Sequence, residues 1–240
     1  MYTEVALDPG GSFHFEVGRA LAESLGYPAD ALDRAPAGAV ASFAGVGHFF
    51  DLAALRPGDR VLDLGSGSGM DAFVAGAVVG PAGTVVGVDY TEAQLTKARK
   101  LAAEAGLGHV LFAYGDIADP PVPDGAFDCV MSNGVINLAP DKPQVFAAAA
   151  RALVPGGRLA IADIVTERHL TEAIVCNADL WASCIGGAAQ HDDYERMIAD
   201  AGLAVQIVRE NPYRFVSDRA RRASDKYGVR SVSLLARKPV

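Results

Sequence analysis

The 240-residue sequence has few cysteines, a shortage of positive charge and no long apolar run. Cys129, Cys176 and Cys184 are too few and too unevenly spaced for a disulfide framework or a paired-cysteine zinc site. We therefore expect no metal and a reducing, cytoplasmic location. The 21 basic residues are outnumbered by 29 acidic ones, and the net charge of −8 argues against nucleic acid as a partner.

Membrane spans and signal peptides also lack support in the sequence. No apolar run reaches the roughly 18 residues that a membrane span requires. Glu4 and Asp8 stand where a signal peptide would carry basic and then apolar residues. We expect no association with a membrane.

The composition that is present is typical of a globular protein. Hydrophobic residues make up 50% of the chain and charged residues 21%, whereas intrinsic disorder requires low hydrophobicity and high charge. The length suits one domain with a modest additional segment. We predict an N-terminal cap over residues 1–57 and a main domain over residues 58–240.

Short apolar runs alternate with longer amphipathic segments from residue 58 onward. The predicted strands are 60–64, 84–89, 110–114, 127–132, 158–164, 205–209 and 231–237. The predicted helices are 69–79, 91–105, 141–153 and 192–201. This pattern predicts an α/β fold, a Rossmann-like doubly wound sheet of about seven strands that is mostly parallel, with an antiparallel edge strand.

Two segments interrupt or precede this alternation. The N-terminal cap is predicted to be helical, with the spacing of apolar residues over 13–25 typical of one helical face. An insertion or lid over residues 166–203 follows the fifth strand. We expect both segments to lie near the strand ends where ligands bind.

A glycine-rich loop, in VLDLGSGSG, joins the first strand to the first helix. Gly65, Gly67 and Gly69 allow a tight turn, and the helix N-terminus after them attracts a carboxylate or a phosphate. Gly67, Gly69 and Ala72 also fit the weak GxGxxA dinucleotide pattern, so a nicotinamide oxidoreductase is an alternative. Asp63 favours another ligand, because a carboxylate there repels a pyrophosphate and attracts an ammonium group. S-adenosylmethionine (SAM) carries both a carboxylate and an ammonium.

Acidic residues also end the second and third strands. Asp89 is placed to accept hydrogen bonds from ribose hydroxyls. Asp116 taken alone is more typical of a turn residue, but in register with Asp63 and Asp89 it is placed to accept from an adenine amino group beside Ile117. Tyr90 is expected to cover the adenine face. The predicted cofactor-binding residues are Asp63, Gly65, Ser66, Gly67, Gly69, Asp89, Tyr90, Gln94, Asp116, Ile117 and Asn133.

These motifs resemble the class I SAM-dependent methyltransferases. VLDLGSGSG resembles the first motif of that family, VVGVD its ribose-binding acid and YGDI its adenine acid. FDCVMSN resembles the fourth motif, and LVPGGRL the turn before the fifth strand. The resemblance covers roughly residues 58–165 and implies SAM as the cofactor and a small-molecule methyl acceptor.

DYTEAQL, SNGVINLAPDK and LWASCIGGA resemble the arsenite methyltransferase group in particular. The resemblance implies three arsenic-binding cysteines, but the matching positions here are Val46, Gly134 and Cys184. Trivalent arsenic is a soft centre that needs several thiolates. We therefore predict an organic small-molecule acceptor, methylated on oxygen, nitrogen or carbon. An arsenite methyltransferase and a non-catalytic SAM-binding protein are the alternatives.

The candidates for catalysis are fewer and less specific. His48 lies in the loop that matches the substrate-facing segment of the resembled family, and His14 is a second candidate base in the cap. Asn137 follows the fourth strand and is expected to face the methyl group, unless it caps a turn. Trp181 and Cys184 in the insertion are candidates for the acceptor pocket, with core packing as the alternative for the tryptophan. A homodimer is compatible with these features.

Overall fold

The computed structural model describes residues 2–11, 13, 15–175 and 185–240. Its strands are β1 (Arg60–Leu64), β2 (Thr84–Asp89), β3 (Val110–Tyr114), β4 (Phe127–Asn133), β5 (Leu153–Thr166), β6 (Ala189–Gln190), β7 (Ala204–Glu210) and β8 (Arg230–Arg237). Its helices are α1 (Tyr2–Leu7), α2 (Arg19–Ser24), α3 (Ala29–Arg34), α4 (Ala37–Ala41), α5 (Phe50–Ala53), α6 (Met70–Val79), α7 (Glu92–Glu104), α8 (Lys142–Ala152), α9 (Glu172–Val175), α10 (His191–Asp200) and α11 (Asp218–Tyr227).

The strands form one mixed sheet, which confirms the predicted Rossmann-like fold. The strand order is β3-β2-β1-β4-β5-β8-β7, and the short β6 pairs with β5 outside this path. Strands β1 to β5 pair in parallel, whereas β8 is antiparallel to both β5 and β7. The antiparallel strand therefore lies one position in from the edge, because β7 pairs on its outer side.

Both faces of the sheet are covered by helices. Along β1, Val61 packs into the cluster on the face of α6, while Leu62 and Leu64 pack into the cluster on the face of α8. On the second face, the Phe146 ring of α8 meets the Tyr194 ring of α10 edge to face at 5.1 Å. Alternation of apolar side chains along the strands thus builds two cores. Within the predicted insertion, α10 is therefore part of the helical layer of the main domain.

The N-terminal residues are helical, but α2 is shorter than the helix that the apolar spacing over 13–25 indicated. Helix α2 begins only at Arg19, because Gly18 before it has a φ of 87° and donates its N–H to the carbonyl of Phe43 at 2.7 Å. The cap packs on α6 and α7. Lys97 of α7 donates to the carbonyl of Ala6 at 2.9 Å and to the hydroxyl of Ser42 at 2.7 Å. The cap is therefore held over the carboxyl ends of β1 and β2.

None of the helices in the described ranges has both the length and the apolar character needed to cross a bilayer.

Candidate active site

The glycine-rich loop predicted from the sequence is the turn between β1 and α6. Gly65, Gly67 and Gly69 have φ values of 76°, 53° and 90°, in the left-handed region that favours glycine. The Asp89 carboxylate supports this loop: one oxygen accepts from the Gly67 N–H at 2.9 Å and the other from the Thr91 N–H at 2.8 Å. The loop is therefore fixed to the end of β2 before any ligand binds.

A cavity of about 690 Å³ lies above this loop, at the carboxyl ends of β1 to β4. The glycine loop and the residues after β2, β3 and β4 line it, and the cap closes it through Val5, Ala39 and residues 42–45. Ten of the eleven predicted cofactor residues line the cavity, all except Gly69: Asp63, Gly65, Ser66, Gly67, Asp89, Tyr90, Gln94, Asp116, Ile117 and Asn133. The structure thus brings most of the predicted set to one place.

Asp63 carries the clearest sign of a ligand site. It is 2% exposed, and its Oδ2 atom has no hydrogen-bond partner in the part of the chain that the structure describes. Burial raises its pKa well above the usual value, and the nearby Asp71 and Asp89 raise it further. The Ser66 hydroxyl lacks a partner in the same described ranges. A buried carboxylate with an unsatisfied oxygen fits a ligand that brings an ammonium group.

The residues after β2 and β3 form the other end of the cavity. Tyr90, which is 73% exposed, stands at the mouth, while Gln94 is buried and accepts a hydrogen bond from the Ser68 hydroxyl. The Asp116 carboxylate accepts from the N–H of Ala118 at 2.9 Å, so it also closes the local turn. Both sequence interpretations of Asp116, as a turn residue and as a cavity residue, are compatible with this geometry.

Asn133 lines the cavity, but its amide already makes several contacts with the cap and α6. Its Oδ1 accepts from the N–H groups of Val46 at 2.8 Å and Gly47 at 3.3 Å. Its Nδ2 lies within hydrogen-bond distance of the Asp71 carboxylate, the Tyr27 hydroxyl and the Gly47 carbonyl. The side chain predicted to hold the cofactor thus mainly joins β4 to the cap.

Two predicted catalytic residues do not line the cavity. The His48 ring packs edge to face on Tyr27, 4.7 Å between centroids, and burial lowers its pKa. Asn137 is fully buried in the 3-10 turn Ile136–Leu138, where its N–H and its amide donate to the Asp163 carboxylate. The expectation that Asn137 faces the transferred methyl group is therefore corrected, because the turn after β4 directs it towards β5. Its alternative interpretation, as a turn residue, fits.

Three further predicted residues, His14, Trp181 and Cys184, lie outside the described residues, as does Cys176. Cys129 is described and is fully buried in β4. Burial raises the pKa of its thiol to about 12, so it is neither exposed nor ionised at neutral pH.

Val46 and Gly134, the positions of two thiols in the resembled group, are neighbours in space. Gly134 has a φ of 70°, and a Cβ atom built on it would lie 3.1 Å from Cγ1 of Val46. Gly134 lines the cavity and Val46 is buried behind it. The structure therefore places the two positions side by side, Gly134 at the wall of the cavity and Val46 packed against it, and neither residue offers a sulfur atom.

Tyr27 and Asp71 contribute to the site in a way that the sequence did not reveal. Asp71 lies in the first turn of α6, where an acidic residue ordinarily stabilises the helix N-terminus, but its carboxylate also accepts from the Tyr27 hydroxyl at 2.6 Å and from Asn133 at 3.0 Å. The position of Asp71 directly after the glycine loop was the one available signal. Nothing in the local sequence marked Tyr27, because its partners lie 44 and 106 positions away.

Comparison with known proteins agrees with this architecture. Residues 55–202 match a family model described as a methyltransferase domain. The chain is 40% identical to an arsenite methyltransferase of Halobacterium salinarum over 98% of its own length, and 44% identical to the nocamycin O-methyltransferase of Saccharothrix syringae over 52%. It spans 61% and 45% of those two proteins. An arsenic(III) S-adenosylmethionine methyltransferase structure from Chlamydomonas reinhardtii superposes with a TM-score of 0.68 at 30% identity, covering 93% of this chain and 74% of that one.

Replacement of Gly65 by alanine should distort the loop that forms the cavity floor. A Cβ atom there would lie 2.5 Å from Cγ1 of Val135, whereas at Gly80, which also has a positive φ, a Cβ atom meets nothing within 4 Å. Gly80 also has a ψ of −176°, a combination that is essentially restricted to glycine, so Gly80→Ala should cost about 1–3 kcal/mol of backbone strain. Gly65→Ala should cost about 1–3 kcal/mol more through overpacking. Denaturant unfolding measures the difference.

The same two variants also test whether ligand binding requires the geometry of the glycine-rich loop, because both introduce backbone strain but only Gly65 lies in that loop. Gly65→Ala should weaken binding of S-adenosylhomocysteine in calorimetry, and Gly80→Ala should leave it unchanged. Equal stability and equal affinity of the two variants would show that Val135 yields without cost and that the loop geometry is not required.

Proposed function

The chain belongs to the class I SAM-dependent methyltransferases and resembles their arsenite methyltransferase group, and we propose that it methylates an organic small molecule. SAM is the cofactor of this family. The proposal on the acceptor rests on one observation, the packing of Val46 against Gly134 at the cavity wall. These are two of the three positions at which the resemblance expects thiols.

The residues present fit SAM along the whole cavity. Asp63, with its unsatisfied Oδ2, is the proposed partner of the ammonium, and the N-terminus of α6 behind the glycine loop that of the carboxylate. Asp89 is the proposed partner of the ribose hydroxyls, since each of its oxygens accepts one backbone N–H and retains a lone pair. Asp116 and Ile117 are proposed to meet the adenine, beside Tyr90.

The choice of an organic acceptor follows from the chemistry of the cavity wall. A single thiolate exchanges readily with cellular thiols, so trivalent arsenic needs several sulfur ligands to be held. Cys129 cannot supply one, because it is buried in the sheet with a raised pKa. One relative at 44% identity is named as an O-methyltransferase, which supports an organic acceptor on this fold, and the chain spans only part of that protein.

We propose that the main contribution of this chain to methyl transfer is to position the acceptor against the cofactor. When bound, SAM supplies a methyl group on a sulfonium whose leaving group is neutral. The protein must align an acceptor atom with that methyl group, and such alignment can contribute about 7–11 kcal/mol. The cap, through Val5 and residues 42–45, lines the side of the cavity that faces the carboxyl ends of the strands. The cavity edge that the cap forms with Gly134 is the proposed place for the acceptor.

Transfer of a labelled methyl group tests this function. The protein is incubated with methyl-labelled SAM and a metabolite extract of its host, and products are separated by mass spectrometry. We expect label in an organic compound, and about 10- to 150-fold less of it with the Asp89→Ala variant when SAM is well below saturation. Binding of SAM without any labelled product would favour a non-catalytic SAM-binding protein and contradict the proposal.

A further inference from the structure

Tyr27, Asp71 and Asn133 come from the cap, α6 and β4 and meet in one buried hydrogen-bonded cluster. The Tyr27 hydroxyl donates to Oδ1 of Asp71 at 2.6 Å, and Nδ2 of Asn133 donates to Oδ2 of Asp71 at 3.0 Å and approaches the tyrosine oxygen at 3.1 Å. Tyr27 is 3% exposed and Asp71 6%. Every oxygen of the Asp71 carboxylate is thus committed to a contact between elements.

The same cluster reaches the cap a second time, through the loop at Gly45 to Gly47. Oδ1 of Asn133 accepts from two successive N–H groups of that loop, and Nδ2 lies 2.9 Å from the Gly47 carbonyl. The loop lies directly on the amide, because a Cβ atom at Gly45 would come within 2.6 Å of Cγ of Asn133. The position of this loop is therefore set by the orientation of the Asn133 amide.

Asp71 and Asn133 also form part of the cavity surface, next to the carboxylate proposed to receive the ammonium. The charge of Asp71 contributes to the raised pKa of Asp63, and the charges of both carboxylates contribute to the raised pKa of Tyr27. A change in the cluster therefore alters both the closure of the cap and the negative potential at the cavity floor.

From this geometry we infer that Tyr27 is a positioning residue: through Asp71 and Asn133 it holds the cap closed over the ammonium end of the bound cofactor. The inference rests on the proposed use of the cavity for SAM. Tyr27 does not line the cavity as described, so it acts through its two partners. Cofactor affinity should therefore depend on a hydroxyl group that never touches the cofactor.

The ionisation of Asp71 gives this role a measurable signature. Burial raises the pKa of Asp71 to about 6, and the hydrogen bonds from Tyr27 and Asn133 oppose that rise. The groups that face it are Tyr27 from the cap and Asp63 from β1, while His48 packs on the other side of the tyrosine ring. The ionised carboxylate accepts both donors and attracts an ammonium. Cofactor affinity should therefore fall as the pH drops through about 6.

A matched control exists in the same chain. Tyr194 is also buried, at 1% exposure, and donates its hydroxyl hydrogen to Asp163 at 2.7 Å. Burial raises the pKa of Asp163 to about 6 as well. Neither residue is among the described residues that line the cavity. Tyr194→Phe thus removes the same kind of buried hydrogen bond from a pair of residues that do not themselves line the cavity.

The experiment measures binding of S-adenosylhomocysteine by calorimetry between pH 5.5 and 8 for the full chain and for Tyr27→Phe and Tyr194→Phe. We expect Tyr27→Phe to weaken binding about tenfold, the lower end for one hydrogen bond to a charged group. The pH below which affinity falls should also move upward in this variant. Tyr194→Phe should lose comparable stability and keep the affinity and pH profile of the parent.

Tyr27→Phe with parental affinity at every pH would overturn the inference and leave the cluster a purely structural contact. If Tyr27→Phe does not fold, Asp71→Asn decides the question: its affinity should lose the part of the pH dependence near 6, and an unchanged profile would contradict the inference. Both readouts use binding alone. A parent protein that binds the product and transfers no methyl group would instead refute the proposed function.

Discussion

Asp89→Ala should weaken the binding of SAM and S-adenosylhomocysteine by about 10- to 150-fold, which corresponds to the loss of charge-assisted hydrogen bonds worth about 1.5–3 kcal/mol. The structure adds a second reason to expect a loss of affinity. The same carboxylate accepts the N–H of Gly67, so the variant also releases the glycine loop from the end of β2. Isothermal calorimetry with both compounds measures the effect.

Asp200→Ala is a suitable control for this measurement, because Asp200 is exposed at the end of α10 and does not line the cavity as described. It should bind both compounds as the parent does. If Asp89→Ala retained the affinity of the parent protein, the ribose hydroxyls would have to meet another group and the assignment of β2 would be wrong.

Arsenite should yield no methylated product above background when the protein is incubated with SAM and a thiol reductant. We expect no methylated arsenic at all, rather than a reduced amount, because Gly134 at the cavity wall and Val46 packed against it offer no sulfur ligand. Cys129 is removed from the reaction by burial and a raised thiol pKa. Chromatographic separation of arsenic species with elemental detection measures the outcome.

An authentic arsenite methyltransferase assayed in parallel shows that the conditions permit the reaction. Rapid formation of methylated arsenic by this chain would contradict the account. It would mean that Cys176 and Cys184, which lie outside the described residues, bring enough thiolates to the cavity without Val46 and Gly134.

The predicted fold agrees closely with the structure because its signals are local. Strands β1, β2 and β3 have the bounds that the apolar runs between Gly, Asp and Pro indicated. The glycine loop was identifiable because three alternate glycines between a strand and a helix have a direct conformational reason, which their positive φ values bear out. The local pattern was misleading before Gly18: the apolar spacing indicated a helix over 13–25, but Gly18 has a φ of 87° and the helix begins only after it.

The candidate site was only partly predictable, for a related reason. Asp63, Asp89 and Asp116 end neighbouring parallel strands, and topology alone brings such residues to one edge. Contacts between distant segments leave no trace in local sequence. The roles of Tyr27 and Asn133 depend on how the cap packs on β4. Asn137 does not line the cavity, because the chain after β4 turns towards Asp163.

A crystal structure of the protein with S-adenosylhomocysteine tests the central claim most directly. The account predicts the ammonium of the ligand within hydrogen-bond distance of Asp63, the ribose hydroxyls on Asp89 and the adenine beside Ile117. The sulfur atom should face the space between the cap and Gly134. A ligand whose ribose lies away from Asp89, or whose ammonium leaves Oδ2 of Asp63 unpaired, would contradict the account.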